Sequence, residues 1–430
     1  MLVTLALFLL QSGSAPSLAD DLERAVDLPD PAARAQAALA LARREDVFLE
    51  RWLEAARGFG RFAPAGAGTH EERVELEVGL AAAEPTSLWV HVPAAYAPGT
   101  PAPLLVALHG TGGSGEDALL PWVATAESLG MLLLAPSEAG ENAGYAYTDR
   151  ERSSVLAALR WMRRHFDVDE NRVHLTGSSR GGHLAWDLAL RHPDLFASLA
   201  PMTGGPRLEI AESRNNLSYL EGIAHLSIRD LQGSGDDPLL LFNLHLAFEL
   251  LEAWKAPDCE LLEFADLGHD FDMGAVEWPS FFARAARDPG RARVVVCSAG
   301  TGRGRSGWAE ILETSKEVCE TFAPEVNAAR WSRLSSEEQR RELQRMVDER
   351  TARLEVAREA PGRITARGKG VARFRLLLAS AMLPEKGPIR VDSGAKSRTR
   401  TPERSAEVLL GDFVERFDRT FLPVAELTVP

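Results

Sequence analysis

Residues 173–182 read Val-His-Leu-Thr-Gly-Ser-Ser-Arg-Gly-Gly, a short apolar run followed by a glycine-rich turn. Gly177, Ser179 and Gly181 match the pattern G-x-S-x-G, in which a serine occupies a tight turn between a strand and a helix. The backbone of that serine is strained, and its neighbours two positions away must lack side chains, a requirement that glycine meets. The pattern makes the hydroxyl of Ser179 a candidate nucleophile, and the rest of the chain must supply its partners.

Length and charge limit the possible classes of protein. The chain has 430 residues, of which 48 are Lys or Arg and 62 are Asp or Glu, so its formal net charge is −14. This length accommodates two or three domains. Because phosphate binding needs a basic face, the charge argues against nucleic acid or an anionic membrane surface as the main partner. The stretch 363–404 is locally basic, but its Gly, Ser, Thr and Pro content predicts a solvated loop.

The chain begins with an apolar block, residues 1–10, that is too short to span a bilayer. Small residues follow and end at Ser17-Leu18-Ala19, so we predict a signal peptide over residues 1–19 and a secreted or periplasmic protein. No Lys or Arg precedes the block, and a buried N-terminal segment or a misplaced start is the alternative. The three cysteines begin at Cys259, which excludes lipid attachment just after the signal and predicts no disulfide framework.

Residues 20–68 predict an N-terminal helical segment and a linker. Asp30-Pro31 is a good helix start, and apolar residues continue the helix to about Arg57. The run Ala-Pro-Ala-Gly-Ala-Gly at 63–68 then reads as a linker.

Residues 69–288 predict an α/β domain. Apolar residues alternate with polar ones over 74–78 and 88–92, which is typical of two half-exposed antiparallel strands at a sheet edge. The runs 104–108, 131–135 and 173–176 are continuously apolar, as expected for strands buried on both faces. Amphipathic helices separate such strands, one of them starting at the capping box Thr148–Glu151. This alternation indicates an α/β fold with a mostly parallel central sheet.

Residues 289–430 follow the breaker Asp288-Pro-Gly and predict a small, mostly-β C-terminal accessory domain. Short apolar or alternating runs predict its strands, and Ser335/Ser336 with Glu338/Gln339 cap a charged helix to about Arg350. The predicted strands lie at 294–296, 308–312, 354–356, 374–378 and 421–429.

The hydrolase fold that uses G-x-S-x-G has its nucleophile, acid and histidine in that chain order. His269 lies in a Gly-His-Asp turn directly after a predicted strand, where its imidazole can project over the sheet edge. We therefore predict His269 as the base. The other histidines after Ser179 lie in or beside helices or precede any plausible acid: His183, His192, His225 and His245.

The acid should follow the preceding strand, where Gln232-Gly-Ser-Gly-Asp-Asp-Pro238 is found. Its carboxylate would accept the imidazole N–H and stabilise the imidazolium. Asp236 is preferred for its offset from Gly233, and Asp237 remains the alternative acid, its other role being the N-cap of a helix starting at Pro238.

Acyl transfer also needs donors for the oxyanion. The loop His109-Gly-Thr-Gly-Gly113 follows a buried strand, and its glycines allow the backbone to approach the site closely. We predict the main-chain N–H groups of Thr111 and Arg180 as the oxyanion hole and a structural role for His109. The loop lacks Gly-Lys-Ser/Thr, so a phosphate loop is disfavoured. No metal and no organic cofactor is implied.

The residues quoted above give the chain a resemblance to α/β-hydrolases of the feruloyl esterase and polyhydroxybutyrate depolymerase type, which grade into prolyl-oligopeptidase-like esterases. The resemblance covers about residues 70–285 and rests on 109–113, 171–182, 191–197 and Gly268-His269. It implies an α/β-hydrolase fold. Two departures are Arg180, where methionine is frequent, and Gln232-Gly233, where His-Gly is usual.

The functional hypothesis is hydrolysis of a carboxylic ester through an acyl-enzyme on Ser179. The substrate would be a small-molecule ester or one linked to a polysaccharide, with no nucleic acid and no stable membrane insertion. A serine peptidase of the prolyl-oligopeptidase type and a non-catalytic binding module with a hydrolase fold are the alternatives. Trp122, Tyr145 and Tyr147 either line an aromatic-accepting pocket or serve in packing. Acyl and alcohol specificity and oligomeric state are left open.

Overall fold

The structure is a computed structural model of the chain and describes residues 17–76, 84–137, 144–208, 215–300, 304–323, 326–394 and 396–430. Residues 1–16, which hold most of the predicted signal peptide, lie outside the described residues, as does Val78 of the first predicted edge strand. Ser17, expected at the cleavage site, caps the first helix: its hydroxyl accepts the Asp20 N–H, and the Asp20 side chain accepts the Ser17 N–H.

The N-terminal segment forms three helices, α1 Leu18–Val26, α2 Pro31–Ala42 and α3 Leu49–Arg57. The expectation of one helix from residue 30 to about 57 is therefore wrong. A continuous helix over that range would be about 40 Å long. The turn at Arg44–Val47 instead folds the chain back, so that Trp52 of α3 is buried in the same core as Leu22 of α1.

The central sheet has eight strands within the described residues, in the order β1-β2-β4-β3-β5-β6-β7-β8. The strands are β1 Gly68–Leu76, β2 Glu84–Val92, β3 Ala102–Leu108, β4 Leu132–Ser137, β5 Val168–Ser178, β6 Ser198–Met202, β7 Ser227–Gly233 and β8 Cys259–Phe264. β1 pairs with β2 and β2 with β4 in antiparallel fashion, and the remaining pairs are parallel. The two edge strands and the mostly parallel sheet are thus confirmed, and the fold is that of an α/β-hydrolase.

Helices pack on this sheet and connect its strands. They are α4 Gly115–Leu119, α5 Val123–Leu129, α6 Asp149–His165, α7 Arg180–Arg191, α8 Pro238–Ala253 and α9 Trp278–Arg284, with 3₁₀ helices at Leu120–Trp122, Leu217–Ile223 and Met273–Ala275. The capping box predicted at Thr148 begins α6. Since β3, β5, β7 and β8 run parallel, the loops that follow them meet at one edge of the sheet.

The C-terminal part contains two further sheets, with strand orders β10-β11-β14-β17 and β16-β15-β13-β12-β9. Its strands are β9 Arg293–Ser298, β10 Gly304–Ser306, β11 Ala309–Thr314, β12 Ala352–Ala360, β13 Arg363–Lys369, β14 Val371–Ala379, β15 Ile389–Ser393, β16 Lys396–Arg400 and β17 Pro423–Val429. Its helices are α10 Ala328–Trp331, α11 Ser336–Glu349 and α12 Ala406–Arg416, with a 3₁₀ helix at Ser380–Met382. The charged helix and its cap at Ser335 are confirmed.

The solvated loop expected over 363–404 is wrong, because most of that stretch forms β13 to β16. Its basic residues alternate with apolar ones, and the apolar positions are buried: Ile364 and Ala366 in β13, Ile389 and Val391 in β15. Composition suggested a loop, whereas the two-residue period of the apolar positions decided for strands.

The C-terminal part packs tightly against the hydrolase sheet and the N-terminal helices. Val347 of α11 and Ala299 belong to the large core of the α/β unit, and α12 shares a core with α1, α2 and α3. Among the described residues, we find no helix with the length and apolar character needed to cross a membrane.

Candidate active site

Ser179 lies in the turn between β5 and α7 with φ 54° and ψ −116°, a strained conformation for a residue with a side chain. The glycines on either side are required by contact distances. A Cβ at Gly177 would lie 2.4 Å from the Gly181 carbonyl oxygen, and one at Gly181 would lie 2.2 Å from that of Leu108. The backbone N–H of Ser179 donates to the Met202 carbonyl at 2.8 Å, which ties the turn to β6.

The loops that follow β7 and β8 are held against each other by their backbones. The N–H groups of Ser234 and Gly235 donate to the carbonyls of Phe264 and Leu267, at 3.0 and 2.8 Å. A Cβ at Gly233 would lie 2.0 Å from the Gly268 carbonyl oxygen, so glycine is needed for this approach. The packing brings the loop carrying Asp236 beside the one carrying His269.

Ser179, His269 and Asp236 form a continuous hydrogen-bonded chain. His269 Nε2 lies 2.8 Å from Ser179 Oγ, and His269 Nδ1 lies 2.8 Å from Asp236 Oδ2. An ionised carboxylate only accepts, so Nδ1 carries the proton and Nε2 is free to accept the serine proton. The His269 side chain is 53% exposed and that of Asp236 only 8%, so the imidazole faces the solvent side while the acid lies beneath it.

The Asp236 carboxyl is surrounded by donors. Its partial burial works to raise its pKa, but hydrogen bonds from the Asp237 N–H, from His269 and from Gln232 outweigh burial and hold the pKa below the ordinary value of aspartic acid. Asp237, the alternative acid, instead caps α8 by accepting the Leu239 N–H at 2.7 Å. The structure therefore brings Asp236, and not Asp237, to His269.

The loop His109–Gly113 lies directly against the serine turn. A Cβ at Gly110 would be 3.6 Å from the Ser179 Cβ, and His109 Nδ1 lies 2.9 Å from the Gly110 carbonyl within the loop. Arg180 begins α7, and its buried guanidinium donates to the Gly144 carbonyl at 3.1 Å and to Glu151 at 2.9 Å. These contacts anchor the Arg180 side chain to Gly144 and to the first turn of α6.

Of the three aromatic residues suggested for a pocket, Tyr145 and Tyr147 lie together, with ring centroids 4.3 Å apart, and Trp122 lies elsewhere. Trp122 is buried in the core, with its ring centroid 5.0 Å from that of Trp278, so it serves in packing. Tyr145 donates its hydroxyl to the buried Asp187 of α7 at 2.6 Å. Tyr147, in a left-handed conformation with φ 61°, has its hydroxyl 3.3 Å from His183 Nδ1.

Two residues near the hydrogen-bonded chain of Ser179, His269 and Asp236 were not identified from the sequence as members of the site. His183 lies one helical turn after Ser179 and donates its backbone N–H to the Ser179 carbonyl. Gln232, fully buried at the end of β7, donates to Asp236 Oδ2 at 2.6 Å. The i,i+4 spacing from Ser179 was a usable signal for His183. For Gln232, the unusual residue before Gly233 was visible in the sequence, but its contact with Asp236 was not.

Fold and site together define a class of architecture: an α/β-hydrolase fold that carries a hydrogen-bonded Ser-His-Asp arrangement. Residues 137–322 match the family described as "Putative esterase", and Ser179, Asp236 and His269 all fall within that range.

The chain is also similar to particular proteins over part of its length. It is 29% identical over 133 residues to the poly(3-hydroxyalkanoate) depolymerase C of Paucimonas lemoignei, covering 28% of this chain and 31% of the depolymerase. The chain thus spans about a third of that curated relative. Among solved structures, a thermostable esterase matches with a TM-score of 0.42 and 20% identity over 51% of this chain and 63% of the esterase. The S-formylglutathione hydrolase of Agrobacterium tumefaciens matches with a TM-score of 0.40 and 19% identity, over 48% of this chain and 91% of the hydrolase.

Proposed function

We propose that the protein hydrolyses carboxylic esters through an acyl-enzyme formed on Ser179. The observation that carries this proposal is the pair of 2.8 Å contacts that join Ser179 Oγ to His269 and His269 to Asp236. A serine hydroxyl is a weak nucleophile unless a base takes its proton, and an imidazole oriented by a carboxylate is suited to that task.

In the proposed reaction, His269 Nε2 removes the Ser179 proton as Oγ attacks the ester carbonyl. The oxyanion of the tetrahedral intermediate is held by the main-chain N–H groups of Thr111 and Arg180. His269 then protonates the leaving alcohol, and the acyl group remains on Ser179. In the second step His269 takes a proton from a water molecule that attacks the acyl group, and it returns the proton to Ser179 Oγ as the acid leaves. Asp236 keeps the imidazole in its tautomer and stabilises the imidazolium without taking the proton.

The substrate class is proposed from the chemistry of the site and from one relative. The net charge of −14 disfavours nucleic acid, so the proposed substrate is a small-molecule or polysaccharide-linked ester. The similarity to a poly(3-hydroxyalkanoate) depolymerase adds short 3-hydroxyacyl esters to the candidates. We further propose that the enzyme acts after export, without stable insertion into a membrane.

Labelling with a fluorophosphonate probe tests the nucleophile directly, and p-nitrophenyl esters of acetate, butyrate, ferulate and 3-hydroxybutyrate test the reaction. Ser179→Ala should abolish labelling and lower kcat by about 10⁵- to 10⁶-fold, because removing the nucleophile eliminates the acyl-enzyme route. Ser178→Ala, which removes the neighbouring hydroxyl, is the matched control and should still be labelled.

Equal labelling of wild type and Ser179→Ala would contradict the proposed nucleophile. Absence of any label or ester turnover in folded wild-type protein would favour a binding module. Turnover of peptide anilides in preference to every ester would favour a peptidase.

A further inference from the structure

Asp236 is held from two sides. Its Oδ1 accepts the backbone N–H of Asp237 at 2.7 Å, and its Oδ2 accepts both His269 Nδ1 at 2.8 Å and Gln232 Nε2 at 2.6 Å. The Gln232 amide and the imidazole thus converge on one carboxylate oxygen. The Asp237 N–H fixes Oδ1, and Gln232 adds a second side-chain donor to Oδ2, the oxygen that faces His269 Nδ1.

Gln232 is itself rigidly placed. Its side chain is fully buried, and it is the last residue of β7 before Gly233, whose backbone lies against Gly268. Its Oε1 is also buried and has no hydrogen-bond partner among the described residues. Among the described residues, the hydrogen bond that this buried amide donates is directed at Asp236, although a leucine would fill the space without leaving an unpaired oxygen.

We propose that Gln232 is a positioning residue of the catalytic site, whose amide holds the Asp236 carboxylate in line with His269 Nδ1. The inference rests on the proposed function of Ser179, His269 and Asp236. A glutamine suits this task because its amide remains a neutral donor across the pH range in which the imidazole must act. A glutamate would donate only while protonated.

Steady-state kinetics on p-nitrophenyl butyrate between pH 6 and 9 test this role in the full chain. Gln232→Leu removes the donor, and we expect kcat to fall about 10- to 100-fold, the usual worth of a hydrogen bond to a charged group, with KM little changed. Gln232→Glu places two carboxyl groups at hydrogen-bond distance, and such a pair shares one proton at lower pH. Its kcat should exceed that of Gln232→Leu at pH 6 and fall as rising pH removes the shared proton.

Gln344 provides the matched control. It is also buried, and its Nε2 donates to an aspartate, Asp348 Oδ1, at 2.8 Å, but both residues lie in α11 and make no contact with Ser179, His269 or Asp236 among the described hydrogen bonds. Gln344→Leu and Gln344→Glu should change the unfolding midpoint and leave kcat and its pH profile as in wild type.

Three results would overturn the proposal: a Gln232→Leu enzyme with wild-type kcat, equal losses in both Gln232 variants at every pH, or the same kinetic changes in the Gln344 variants. If Gln232→Leu does not fold, the pH dependence of Gln232→Glu alone decides. Wild-type labelling and turnover are measured first, so failure of the proposed ester hydrolysis is distinguished from failure of the Gln232 role.

Discussion

The Ser179–His269–Asp236 chain and the charged cluster around Asp418 both join residues far apart in sequence, but they differ in their access to solvent and in the way their charges are paired. We define the Asp418 cluster as Arg163, Asp167, Glu170, Arg287, Asp418 and Arg419. Its Arg287–Asp418 pair is 2.7 Å apart with side chains 3% and 7% exposed, whereas the His269 side chain is 53% exposed.

The Asp418 cluster fastens the end of the chain to the hydrolase sheet. Arg419 bonds Asp167 and Glu170 at the start of β5, each at 2.8 Å, while Arg163 and Arg287 face Asp418 from α6 and the segment after α9. Three guanidinium groups are matched by three carboxylates, so the six residues of the cluster carry no net charge among themselves.

The charged groups of the two regions must meet different physical requirements. A buried ion pair holds its partners because removing one leaves the other uncompensated. A catalytic imidazole must instead gain and lose a proton while reaching the substrate. Variants of the site should therefore change rate without stability, and variants of the cluster should change stability without rate.

Among the variants that compare the two regions, the largest effect is expected at Asp236, the proposed acid. Asp236→Asn should lower kcat about 10⁴-fold, because an amide in place of the carboxylate favours the wrong imidazole tautomer. The thermal midpoint should change little. Asp237→Asn is the isosteric control and should retain turnover, since asparagine also caps a helix. The reverse result, with Asp237→Asn inactive and Asp236→Asn active, would assign the acid to Asp237.

In the cluster, Asp418→Asn should lower the free energy of unfolding by about 3 kcal/mol, because Arg287 and Arg163 lose a buried counter-charge. Its kcat should match wild type at temperatures where it is folded. Urea unfolding followed by tryptophan fluorescence measures the effect. Glu349→Gln, at the exposed pair with Arg345, is the control and should cost less than about 1 kcal/mol. A loss of kcat in folded Asp418→Asn would break the separation of the two regions.

A smaller effect is expected in the pH dependence of stability. Burial works to raise the pKa of Asp418, but Arg287 and Arg163 outweigh it and hold the pKa well below its ordinary value. A carboxyl whose pKa is lower in the folded than in the unfolded state contributes stability above the unfolded value of about 3.9, and loses it as the pH falls. The urea midpoint should drop steeply below about pH 4 in wild type and less steeply in Asp418→Asn. Equal slopes would show that other carboxyls dominate acid unfolding.

Sequence patterns were most informative where a local rule applies. The strained turn at Ser179 needs Gly177 and Gly181, and the continuous apolar runs gave the buried strands β3, β4 and β5. The prediction of a loop over the basic stretch was wrong because it used composition instead of periodicity, and the stretch forms β13 to β16. The prediction of one long helix was wrong because it continued across the turn at Arg44.

Contacts between distant segments were beyond the sequence. The bond from His269 to Asp236 joins residues 33 positions apart, and the Asp418 cluster joins residues more than 100 positions apart. No local pattern encodes the partner of a buried arginine, because the same side chain in a solvated loop would have the same neighbours in sequence.

By itself, the sequence determined the alternation of buried strands with helices, the strained turn at Ser179 and the chain order that made His269 and Asp236 candidates. These follow from steric and periodic rules that act over a few residues. Only the tertiary structure decided which of two adjacent aspartates faces His269, and that Gln232 donates a hydrogen bond to that aspartate. It also decided that the C-terminal part is held to the α/β unit by buried ion pairs. Those contacts depend on how separate strands and loops pack side by side. Two atoms that lie within 3 Å of each other in the folded protein need not show any common pattern in the sequence.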